Sequence, residues 1–153
     1  MVKHVKAVTV SALHKRAYLA TSSGKALSVL PQMPSLELTS NVSPNNLNAF
    51  LIAASAKFAD AIGKPEKVCL VTFSKVDQMT YAGSTDPAFI AHIHSIGNID
   101  NERNAGLSQS ISQFLSEELN IPNTRGYFFF HNVKGEDTGY AGTTYTNLLA
   151  ARK

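Results

Sequence analysis

A few residues have the chemistry to act on a ligand. His92 and His94 stand two apart in "FIAHIHSIGNI", so a strand would project both imidazoles from one face. His131, in "GYFFFHNV", belongs to a second strand-like run. Two imidazoles at that spacing can share a metal ion, but no cysteine or evident carboxylate completes a ligand set. Packed or surface histidines that respond to pH are the plainer reading. Cys69 is the only cysteine, which excludes an intrachain disulfide, a CxxC redox pair and a four-cysteine zinc site. Its setting, "VCLVTF", is that of a buried strand residue. Neither "GKPEK" nor the glycines at 83, 139 and 142 form a GxxxxGK[ST] or GxGxxG pattern, so nucleotide binding is not expected. The remaining oddity is "QMPSL", a Met33–Pro34 pair placed directly before the first strand-like run.

The elements that position these residues come as a repeat. "SLELTSNV" (35–42) reads as a strand, with Leu36, Leu38 and Val42 on alternate positions. Ser43 and Pro44 supply an N-cap and a first-turn proline for a helix. That helix carries Leu47, Phe50, Leu51, Ala54, Phe58, Ala61 and Ile62 along one face and stops at Gly63 and Pro65. "KVCLVTFSKV" (67–76) is the next strand. The order then recurs: a strand over 89–99, a helix in "NERNAGLSQSISQFLSEELN" ended by Asn120 and Pro122, and a strand over 126–133. A shift of 57 residues places Leu36 on Ile93, Ala54 on Ile111, Phe58 on Leu115 and Pro65 on Pro122. The expectation is an α+β fold of duplicated βαβ units, a four-stranded sheet with two helices on one face. "YFFF" and "CLVTF" are apolar on both sides, so the uncovered face needs a partner and the chain should form a closed homo-oligomer. Segments 78–82 and 138–146 are expected as extra edge strands that pair across subunits.

Charge divides the chain. Residues 1–32 hold Lys3, Lys6, Lys15, Arg16 and Lys25 and no acid, whereas the chain from Met33 carries nine basic and eleven acidic residues. The net charge of +3 therefore belongs to the leader, and nothing points to nucleic acid as a partner. The leader has no uninterrupted apolar stretch for secretion. Its Lys, Ser, Thr and Ala content suits an organellar targeting peptide, or an extension absent from the mature protein. No apolar run reaches membrane-spanning length, so no membrane partner is expected. The domain reading is an N-terminal extension over 1–33 and one domain over 34–153.

"MPSLELTSNV", "AIGKPEKV", "MTYAGSTDPAFIAHIHSIGNI", "LNIPNTRGYFFFHNV" and "TGYAGTTY" together resemble the macrophage migration inhibitory factor family of the tautomerase superfamily, which includes D-dopachrome tautomerase. The resemblance runs from Met33 to about Tyr145 and implies a trimer with active sites between subunits. It also gives Met33–Pro34 a meaning: members lose the initiator Met and use the free N-terminal proline as base, which here is Pro34. A terminal proline nitrogen is a secondary amine. α-Amino groups titrate near ~7.7–8.0, and an apolar pocket with a nearby cation favours the neutral form. The resemblance further implies Lys64 as the contact for a substrate carboxylate or carbonyl oxygen, and Ile96 as pocket lining. Tyr127 would reach in from a neighbouring subunit, and Tyr140 and Tyr145 would form the aromatic wall.

Its implications extend to a small aromatic α-keto acid as substrate, no cofactor, and cytoplasmic residence or non-classical secretion. A protein receptor is the other kind of partner the family suggests. Departures are visible. Ala88 to Ala91 replace the CxxC of the cytokine member, excluding thiol oxidoreduction. Phe129 replaces a pocket asparagine, Tyr140 a tryptophan and Val68 a tyrosine. With residues 1–33 attached, the Pro34 nitrogen is an amide and cannot act as a base. A non-catalytic binding trimer is the alternative in that case.

Overall fold

The computed structural model describes residues 32–151, so the leader lies outside it apart from Gln32 and Met33. Strand β1 (Ser35–Ser40) buries Leu36, Leu38 and Ser40 and turns the odd-numbered residues away, as the alternation requires. Helix α1 (Leu47–Ile62) begins three residues later than the Ser43–Pro44 signal predicts. The reason is Asn46, whose side chain accepts from the Ala49 N–H at 3.0 Å and closes the first turn. Gly63, left-handed at φ 70°, ends the helix, its N–H donating to the last-turn carbonyls. Strand β2 (Leu70–Lys75) is shorter than expected because residues 66–68 form a 3-10 turn first. Strand β3 (Phe89–Ser95), helix α2 (Asn101–Leu119) and strand β4 (Gly126–Asn132) complete the second unit. Asp100 caps α2, and Asn120 ends it in the left-handed region. Gly126 is required where it stands: a Cβ there would lie 2.4 Å from the Phe89 ring.

The four strands run in the order β2-β1-β3-β4. The outer pairs are parallel and the central β1–β3 pair is antiparallel. Each βαβ unit thus contributes half of the sheet, and Leu36 lies directly opposite its repeat partner Ile93. Both helices cover the same face. Phe50, Ala54 and Phe58 of α1 and Leu107, Ile111 and Leu115 of α2 form one core with Leu36, Leu38 and Ile93. Full burial of each large apolar side chain contributes roughly 1.5–3 kcal/mol.

Two expectations need correction. Residues 78–82 are not a strand; Tyr81 makes a single bridge with Ser84 across a turn with positive φ at Ala82 and Gly83. Residues 138–146 form a two-residue hairpin, β5 (Gly139–Tyr140) against β6 (Thr143–Thr144), followed by a short helix α3 (Tyr145–Ala150). Thr144 caps that helix, so within one chain residues 138–146 turn back on themselves.

The other sheet face carries an aromatic and polar surface on which Leu70 (61% exposed), Tyr127 (60%) and Phe129 (45%) are open. His92, His94 and His131 meet there. The His94 and His131 rings stack at 4.3 Å, and His92 Nδ1 lies 3.2 Å from His131 Nε2. Among the described residues Glu37 is the one carboxylate facing them, its oxygen 3.7 Å from His94 Nδ1, too long to satisfy that nitrogen. Among the same residues no group of His, Cys, Asp or Glu is placed to hold a metal ion. Near-parallel rings do not converge their in-plane nitrogens on one point. Burial, then the His94 and His92 charges, push the His131 pKa below the ordinary value, with Glu37 opposing. The unfolded chain therefore binds the proton more readily, and His131 destabilises the fold as pH falls through and below about 6.5. Thermal unfolding between pH 7.5 and 5 should show Tm falling with pH, and His131→Gln should flatten that fall.

Candidate functional site

The site is built at the end of the central ladder. Ser35 pairs with Leu70 on one side and His94 on the other, so one residue earlier Pro34 lies between Cys69 and Ser95. Its parity is that of Leu36, toward the helices, and it is fully buried. Its carbonyl accepts from the Leu70 N–H at 3.0 Å, which pins the residue in place. Directly above, the chain leaves α1 through Gly63 and enters Lys64. The Lys64 backbone N–H donates to Ala59 O at 3.1 Å, and its side chain is 9% exposed. Lys64 Nζ donates to Ser95 Oγ at 2.6 Å and to the Ile96 carbonyl at 2.9 Å. Asn98 Nδ2 donates to Ile62 O at 3.0 Å and holds the 96–98 bend against the helix end.

Lys64 has two hydrogen-bond partners and both are neutral. Burial lowers its pKa to about 8, with the nearby Cys69 thiol opposing when ionised. Burial and Glu66 raise the Cys69 pKa, while Lys64 lowers it. The thiol, half-buried in the turn before β2 and not within the strand as expected, donates to Pro65 O at 3.5 Å. Gln32 also belongs here. Its carboxamide rests on Gly97, where an added Cβ would lie 3.4 Å from Gln32 Oε1.

Pro34, Lys64 and Ile96 are thus brought together within one chain. Tyr127 is not with them: it pairs with Ile90 at the far end of β3 and faces the open side. There its ring packs 5.4 Å from Tyr81, over which the Arg125 guanidinium sits at 5.5 Å. The Tyr81 hydroxyl donates to Tyr127, which favours its protonated form and raises the Tyr81 pKa. Arg125 holds that loop through the Pro87, Asp86 and Ser84 carbonyls. Tyr140 is 54% exposed on the β5–β6 hairpin, beside an open hollow of about 530 Å³. A larger hollow of about 860 Å³ lies along the Ser108–Ser112–Ser116 side of α2, away from Pro34. Tyr145 is buried at the start of α3. The sequence reading missed Ser95. The signal was available: a serine continues the helix-facing series Phe89, Ala91, Ile93, where the alternation asks for an apolar side chain.

The geometry has relatives. The sequence profile described as macrophage migration inhibitory factor (MIF) matches residues 33–146. The macrophage migration inhibitory factor homolog of Trichinella spiralis is 33% identical over 114 residues, which cover 74% of this chain and 100% of that protein. The structure of the factor from the same organism superposes with a TM-score of 0.66 at 32% identity, over 72% of this chain and 98% of that one. The homologue from Prochlorococcus marinus gives a TM-score of 0.69 at 28% identity, over 72% and 98%. These matches, together with the fold of two βαβ units, define a tautomerase-superfamily domain. The chain belongs to the macrophage migration inhibitory factor family.

If Lys64 is held as described, the chemical shift of its ε-carbon should titrate with a midpoint near 8. Ser95→Ala removes the shorter of its two hydrogen bonds and should displace that midpoint, whereas a surface-mobile lysine would be insensitive to the change.

Proposed function

We propose that the chain, once it begins at Pro34, is a keto–enol tautomerase for phenylpyruvate- or dopachrome-type substrates. The observation that carries this reading is the seating of Pro34 beside Ser95, with the Lys64 amine bound to that same serine. A free Pro34 nitrogen, flanked by the Lys64 cation, is disfavoured from taking a second charge and so is poised as a base near neutral pH. Lys64, in its ammonium form, donates to Ser95 and Ile96 and keeps its third N–H for a substrate carboxylate or carbonyl oxygen. Pro34 takes a proton from the carbon next to the carbonyl, Lys64 stabilises the charge gathering on oxygen, and the proton is returned to that oxygen. Ile96 lines the floor, while Tyr127 and Tyr140, remote in their own chain, are supplied by neighbouring subunits of a homotrimer. The open face bearing Leu70 and Phe129 suits such burial.

A second reading, a binding trimer without turnover, is favoured by one contact. In the 153-residue chain the Pro34 nitrogen is an amide, and Gln32 lies on Gly97 beside the Ile96 carbonyl that holds Lys64. Activity, compartment and any protein receptor therefore follow the fate of the leader. Among the described residues no helix is long and apolar enough to cross a membrane.

Phenylpyruvate turnover should be present in a chain starting at Pro34 and absent from the chain retaining Met33. Pro34→Gly in the short chain should lower kcat by about 10²–10⁴-fold, and equal rates in both chains would refute the proline base. Lys64→Met should raise KM by roughly ten- to a hundredfold, the loss of one hydrogen bond to a charged group. Sedimentation of the short chain should give three times the protomer mass, and a monomer would remove the shared site.

A further inference from the structure

The same lysine has a second chemistry that does not require Pro34 to be released. We propose that Lys64 in the intact chain is a nucleophilic amine that condenses with small α-keto acids to form an imine. The geometry is the first support. Nζ donates one hydrogen to Ser95 Oγ at 2.6 Å and one to Ile96 O at 2.9 Å. A neutral amine has two hydrogens and one lone pair. Both hydrogens are used by these acceptors, and the lone pair is left directed away from them. The environment is the second support. Both acceptors are uncharged, the side chain is buried, and none of the ion pairs among the described residues involves Lys64. No carboxylate among those residues holds the amine as ammonium, and burial, with the Cys69 thiol opposing when ionised, lowers its pKa to about 8 and enlarges the neutral fraction that can attack. At pH 7 such an amine is neutral roughly two hundred times as often as one at the ordinary ~10.4.

The missing counter-charge also selects the partner. The Lys64 lone pair attacks the keto carbon and forms the C–N bond, and the carbonyl π pair moves to oxygen, which takes a proton. Loss of water then gives an iminium ion. That cation would be buried with no carboxylate among the described residues paired to it, and an α-keto acid brings its own carboxylate on the adjacent carbon. A simple ketone does not. The Pro34 nitrogen is locked in the Met33–Pro34 peptide bond of the intact chain and cannot compete for the carbonyl.

The proposal rests on the Lys64–Ser95 arrangement used above but not on proline catalysis, so the two fail separately. The 153-residue chain would be incubated with pyruvate and sodium cyanoborohydride, whose hydride reduces the iminium carbon to a stable secondary amine. Intact mass and peptide mapping would then locate the label. One carboxyethyl group at Lys64 is expected, forming at least about tenfold faster than at the exposed Lys67 or Lys134, with a rate that rises through pH 8. Lys64→Arg, with its fold checked by thermal melting, should remove that label alone. Labelling spread evenly over the surface lysines, or no label at Lys64 in the unsubstituted chain, would overturn the proposal. Mapping and the pH profile both use the unsubstituted chain, so the test stands even if the variant fails to fold.

Discussion

The structure depends on the register of the antiparallel β1–β3 pair. Among the described residues it is the only ladder joining the two βαβ units, and it sets Leu36 against Ile93 at the centre of the core. Side chains alternate across a sheet, so a slip of β1 by one residue would carry Leu36 and Leu38 to the open face and bring Glu37 inside. The same register, followed to its end, leaves Pro34 beside Ser95. The core and the site are therefore fixed by one pairing, and the apolar contacts that hold the two helices to the sheet also hold the base candidate in position.

Lys64 makes the opposite demand. A buried amine loses hydration, and its hydrogen bonds to Ser95 and the Ile96 carbonyl recover only part of it, which is why its pKa drops. The surrounding structure is organised to tolerate this. Gly63 turns the chain at the helix end, Asn98 ties the following bend to Ile62, and Gly97 leaves room for Gln32. A polar group held in this way is sensitive to its neighbours, which makes the site responsive to whatever occupies the position of Gln32.

Much of this was legible in the sequence because periodicity reports burial. The helix faces, the alternation of β1 and β3 and the breaks at Gly63 and Asn120 all follow from apolar spacing and left-handed caps. Helix boundaries were less legible where two capping signals competed, as Asn46 did with Ser43. The 138–146 stretch reads as one strand because its Thr and Tyr residues favour strands, while Ala141 and Gly142, both at positive φ, fold it into a hairpin within the chain. Ser95 was invisible as a partner of Lys64 because the two are 31 residues apart, and only the packing of α1 on the sheet brings them together. The histidine cluster was half legible: spacing put His92 and His94 on one face, but the parallel β3–β4 register was needed to set His131 opposite His94.

The duplication supplies an internal comparison. Shifted by 57 residues, Lys64 corresponds to Ile121, Ser95 to Leu38 and Pro34 to Ala91. The two backbones agree: Gly63 and Asn120 are both left-handed at the helix end, and Pro65 and Pro122 follow at the same distance. At the corresponding positions every side chain is buried and apolar, Ile121 and Ala91 with no exposed surface at all. The fold is therefore satisfied by hydrocarbon at this place, at no electrostatic penalty. The Pro34 end of the sheet instead carries an amine and a hydroxyl that must be desolvated and paired. Since the architecture does not need them, the polar set at Lys64 and Ser95 is where the two repeats part in chemistry while sharing a backbone.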